Sequence, residues 1–129
     1  MREILFRGKS IGGNWYYGVP LVFTDDFVCI TAPHTYNKAV IPETVGQYTG
    51  LTDKNGKRIF EGDIIDTPDR LIKVVWFERN AQFDLNFIKH AHDKKIINFK
   101  GIEMRDLKEY EVIGNIHDNP ELIESEDNK

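Results

Sequence analysis

At 129 residues the chain has the length of one domain, enough to bury a core without disulfide or metal staples. Hydrophobic residues make up 40% and charged residues 29%, which excludes a disordered chain, and the single cysteine, Cys29, excludes an intramolecular disulfide. Net charge is −4, and the segment from Asp118 to Lys129 supplies all of it, with five acids against one base. The rest of the chain is balanced, so there is no global attraction to polyphosphate or to an anionic membrane.

In chain order the hydrophobic pattern is that of strands. Glu3-Ile4-Leu5-Phe6-Arg7 mixes apolar and charged residues before the Gly12-Gly13 turn, and its charges and lack of a cleavage pattern do not read as a signal peptide. Asn14 to Val19 is aromatic-rich and predicts a second strand. Leu21-Val22-Phe23 and Phe27-Val28-Cys29-Ile30-Thr31 read as a hairpin around Asp25-Asp26. Lys38 to Ile41, between Pro33 and Pro42, reads as extended or irregular. Asn55-Gly56 predicts a tight type I′ hairpin, with Arg58-Ile59-Phe60 and Asp63 to Asp66 following. Leu71 to Phe77 is the strongest strand. Gln82 to Ile88 alternates with Phe83, Leu85 and Phe87 on one face, and Lys95 to Phe99 suggests a further strand. One helical run of two to three turns is expected over Ile102 to Tyr110. A closing strand over Tyr110 to His117 precedes a helical turn that starts at Pro120.

These elements predict a mainly β chain with little helix: one domain over 1–124, with a small SH3-like barrel over about 47–117, extra N-terminal strands, and a frayed acidic tail at 125–129. Closure is read from the Glu61-Gly62-Asp63 entry into a strand, the turn after it, and two long strands.

Candidate chemistry is sparse. Glu61 and Asp63 share a strand face, which suits a divalent cation or an acid–base pair, but surface carboxylates beside a turn are far commoner. His90 and His92, with His34 or His117, have the makings of a zinc site, yet His90 to Lys95 reads as a polar loop. Cys29 in an apolar strand reads as a buried, inert thiol. The glycines near Asn55, Gly56 and Gly62 precede a strand rather than a helix, so they read as structural turns and not as a phosphate cradle. No signature of a nucleophilic or nucleotide-dependent enzyme occurs, and no catalytic, cofactor or metal residue is assigned. Trp15, Tyr16 and Trp76 are the candidate interaction residues. The same aromatics with Tyr17 and Phe77, beside Lys73, Arg79, Lys94, Lys95 and Lys100, supply the alternative of a nucleic-acid-binding regulator, which Glu78, Asp84 and Asp93 weaken.

The run Gln47-Tyr48-Thr49-Gly50-Leu51-Thr52-Asp53-Lys54-Asn55-Gly56-Lys57-Arg58-Ile59-Phe60-Glu61-Gly62-Asp63-Ile64-Ile65 resembles the signature of the YopX family of phage and prophage proteins. Arg2 to Gly8 is similar to that family's start and Tyr110 to Leu122 to its close, while Pro68 to Lys108 matches no motif. The resemblance implies a phage or prophage gene product acting in the bacterial cytoplasm. It also implies a β-rich fold, and it carries no reaction, cofactor or site residue. The function expected is a non-enzymatic protein-interaction module with a host or phage protein as partner. Self-association into a homo-oligomer fits a small β domain, and a small metal-dependent hydrolase is the least favoured reading.

Overall fold

In the computed structural model, residues 3–33, 35–90 and 101–124 are described. The expected strand over Lys95 to Phe99, the residues His34, His92, Lys94, Lys95 and Lys100, and the tail at 125–129 lie outside them. The chain divides into two compact units, Met1–Gly50 and Leu51–Lys129.

The first unit is an antiparallel sheet in the order β4-β3-β2-β1-β5. Its strands are β1 (Phe6–Lys9), β2 (Trp15–Thr24), β3 (Phe27–Ala32), β4 (Thr35–Val40) and β5 (Gly46–Thr52), whose last residues carry the chain into the second unit. The segments expected on either side of Pro20 form one ten-residue strand. Pairing with β1 stops at Gly18, so Pro20 lies beyond it and costs β2 no ladder bond on that side. Gly18 is required for another reason: a Cβ there would collide with the backbone carbonyl of Thr31 on β3. One face of this sheet holds a core of Val28, Ile30 and Val40, with Phe6, Tyr16 and Val45 packed against it.

The second unit turns at Asp53–Lys57 into β6 (Arg58–Phe60) and then forms the antiparallel sheet β10-β7-β8-β9. These strands are β7 (Asp63–Asp66), β8 (Arg70–Phe77), β9 (Gln82–His90) and β10 (Glu111–Asn115). Ile59, Ile65, Ile72, Val74, Leu107 and Val112 form its main core. On the opposite face of the sheet, Ile64 and Leu71 pack with Ile88, Ile116 and Leu122. Leu107 comes from Met104–Glu109, a six-residue 3-10 segment where a longer helix was expected. It starts with a capping box in which the Glu103 N–H donates to the Asp106 carboxylate at 2.8 Å. The turn at Pro120–Ile123 is also 3-10, with proline in its first turn as its fixed φ favours.

Among the described residues neither sheet closes on itself, so no closed barrel of the expected SH3-like kind is found there. On β10 the Val112 N–H donates to the Asp53 carboxylate at 3.0 Å, and its neighbour Tyr110 accepts from the Lys54 N–H at 2.9 Å, so a turn and a side chain satisfy these edge groups.

The Asn55-Gly56 turn also differs from expectation. A type I′ turn needs positive φ at both residues, but only Gly56 has it, at +80°. Asp53 imposes the alternative. Its Oδ1 accepts from the N–H groups of Asn55 at 2.8 Å and Lys57 at 2.9 Å, and its backbone carbonyl accepts from the Gly56 N–H at 3.0 Å. That pattern fits a turn closed by a left-handed glycine bulge.

Candidate functional site

The outer face of β2 exposes a row of apolar side chains. Side chains alternate along a strand, and the register of β2 with β3 puts Pro20 opposite Ile30 and Val22 opposite Val28, so the even-numbered residues share the face of Ile30 and Val28, with Val22 near the strand end itself 69% exposed. Tyr17, Val19, Leu21 and Phe23 therefore line the other face, at 49%, 49%, 39% and 56% exposure. A β-bulge between Val22 and Thr24 sets Phe23 beside Phe27, whose ring it stacks on at 5.0 Å between centroids. The turn beyond is held by the Asp26 N–H donating to Thr24 Oγ1 at 3.2 Å. The result is a ridge of three aromatic and two aliphatic side chains along one strand pair. The ten residues of β2 and the six of β3 include no charged residue.

The aromatic residues singled out in the sequence take different places. Tyr16 packs against the core of the first unit, with the Lys38 ammonium 5.9 Å from its ring centroid. Trp15 points to the opposite face, where the Arg7 guanidinium lies 4.8 Å over its ring. Both rings face cations of their own chain. Trp76, in the second unit, is 42% exposed and meets Phe83 edge-on at 5.1 Å. The structure thus moves the exposed apolar surface of the first unit from Trp15 and Tyr16 to the ridge residues. Pro20 hid that ridge in the sequence, because it looked like a break between two short strands. Read through Pro20, the alternation of Tyr17, Val19, Leu21 and Phe23 was the available signal.

The residues weighed for metal or acid–base chemistry are placed as structure. Asp63 is 1% exposed and its Oδ2 accepts from the Phe60 N–H at 2.8 Å, which pins the turn between β6 and β7. Gly62 has φ of +93°; its N–H donates to the Val74 carbonyl at 2.8 Å and its own carbonyl accepts from the Ile116 N–H at 2.9 Å. Cys29 is buried, as its apolar strand implies. The His117 N–H donates to the Asn115 side chain at 3.0 Å in the turn after β10. Among the described residues no group of three or more His, Cys, Asp or Glu side chains is arranged to hold a metal ion.

The second unit has an open cleft of about 270 Å³ between Lys54, the Asp66-Thr67-Pro68 turn and Glu109-Tyr110-Glu111. The Lys54 ammonium lies 4.0 Å from the Glu111 carboxylate, and both side chains are about half exposed, so solvent screens the pair. Burial pushes the Tyr110 phenol above its usual range; the charges of Glu109 and Asp106 add to that, and Arg70 opposes it. Arg70 itself is buried, and its guanidinium holds the Asp69 carboxyl below the ordinary carboxylate range through bonds of 2.9 and 3.3 Å. These groups give the cleft a negative lining around a neutral phenol, suited to a hydrogen-bonding or cationic group.

The family model of the YopX protein matches residues 22–124, which include the Gln47 to Asp66 stretch and the close of the chain. Among solved structures, the chain is similar to protein EF1440 from Enterococcus faecalis, known from a crystal structure. The two share 28% identity over 96% of this chain and 100% of the other, with a TM-score of 0.53. No curated protein matches. With more than half of its length matched by that model, the chain belongs to the YopX protein family.

Proposed function

We propose that this YopX-family chain is a non-enzymatic protein-interaction module, encoded by a phage or prophage and acting in the bacterial cytoplasm, whose contact face is the β2 ridge. The observation that supports it most is the contiguous row of Tyr17, Val19, Leu21, Phe23 and Phe27, each between 39% and 56% exposed on an uncharged strand pair. Scattered surface hydrophobics are ordinary, but a contiguous patch of this kind marks interaction surfaces. Aromatic side chains held on a paired strand bring large contact area and lose little conformational entropy on binding.

The test is retention from a bacterial lysate by the tagged chain and by its Leu21→Lys, Phe23→Glu double variant. A protein held by the first and lost from the second, the untagged chain included, supports the proposal. Equal retention by both removes the ridge as the contact face.

A further inference from the structure

The ridge has the features of a surface that pairs with itself. We infer that its occupant is a second copy of this chain, docked about a two-fold axis with the two β2 strands antiparallel; this rests on the ridge being a contact face at all. The first argument is area. Three aromatic rings about half exposed and two aliphatic side chains exposed to a similar degree leave roughly 450 Å² of apolar surface open. Complete coverage of two such faces removes at most about 900 Å², close to the ~1,000 Å² that a specific interface must clear.

The second argument is charge. A two-fold interface sets a patch against itself, so any charge near its centre would meet its own kind. The ridge has none over β2 and β3. Charge appears only at its ends. Asp25 and Asp26 form the turn at one end; at the other, Lys9 of β1 stands opposite Trp15, while Arg7, opposite Tyr17, is buried against the Trp15 ring. An antiparallel pair brings the acidic end of each copy toward the basic end of its partner. Unlike charges then meet at both rims, which favours this register over the parallel one.

Sedimentation velocity of the full chain tests the inference directly. The wild type is expected to approach twice the mass of the 15.0 kDa chain as concentration rises, and Leu21→Lys to stay at the single-chain mass. A wild type that remains single at every concentration overturns the inference, as does a Leu21→Lys dimer. A milder variant guards against loss of folding. Val19→Cys, at the middle of the ridge, is expected to form an intermolecular disulfide on oxidation, while Ile11→Cys, 94% exposed and outside the ridge, is not. Equal cross-linking of the two also counts against it. The two proposals fail separately. A single-chain wild type whose lysate partner is still lost on ridge substitution leaves the ridge a contact face for a different protein. A ridge-dependent dimer that retains nothing in a lysate beyond its own copy leaves self-association as the whole of the interaction.

Discussion

Replacing Asp53 by alanine is expected to destabilise the second unit more than the loss of any exposed charge. The carboxylate is 4% exposed and accepts three backbone N–H groups, from Asn55, Lys57 and Val112. Val112 is buried in β10, so losing its charged acceptor costs about 1.5–3 kcal/mol. The amides of Asn55 and Lys57 lie in an exposed turn and rebond to water, adding roughly 0.5–1 kcal/mol, as for a lost cap. The sum, about 2–4 kcal/mol, corresponds to a melting point lowered by on the order of 10 °C for a chain of this size. Thermal unfolding followed by circular dichroism reads it directly, with Lys54→Ala as the exposed neighbour for comparison. A loss no greater than that of Lys54→Ala would refute the assignment of the turn to this carboxylate.

The same residue makes a pH prediction. Burial raises the Asp53 carboxyl, but the N–H donors of Val112, Lys57 and Asn55 outweigh it, so its pKa in the folded chain lies below the ordinary 3.8 of an aspartate. A group depressed on folding contributes fully above its unfolded pKa and loses that contribution as pH falls through the folded one. The stability gap between wild type and Asp53→Asn is therefore constant near neutrality and narrows below about pH 3.8. Gly62→Ala forces an L side chain into a φ of +93° and is expected to cost about 1–2 kcal/mol by urea unfolding. Gly18→Ala drives its Cβ into the Thr31 carbonyl and is expected to cost about 1–3 kcal/mol, with lost protection of the β2–β3 amides in hydrogen exchange. Tyr110, kept neutral by its surroundings, ionises above the ordinary 10.0 of a tyrosine; ultraviolet titration of Tyr110→Phe should lack the corresponding alkaline step.

Much of the strand order was legible from alternation and turn residues. The β2–β3 hairpin around Asp25-Asp26, the long β8 and the alternating β9 all stand where the period of two puts them. Closure of the sheet was not legible. It depends on what meets the sheet edges, and at β10 the Val112 N–H is taken by a carboxylate 59 residues away in sequence. The turn type failed for a related reason. Asn55-Gly56 is a strong local signal for one hairpin, and Asp53 two residues earlier selects another by binding the turn's amides. The contact face was hidden by Pro20, a strand breaker in isolation but tolerated beyond the last pair with β1. Trp15 and Tyr16 drew attention by ring size, yet adjacent strand residues face opposite sides, so they could not both belong to one surface.

The central claim is that Tyr17, Leu21 and Phe23 are covered by protein when the chain is at work. Hydroxyl-radical labelling read by mass spectrometry tests it most directly, comparing the dilute purified chain with the chain in bacterial lysate. Tyr36 is 90% exposed and lies on β4, outside the ridge, and it serves as the internal reference. The account predicts that labelling of Tyr17 and Phe23 falls in lysate while Tyr36 is unchanged. Equal labelling of the ridge in both conditions would contradict it.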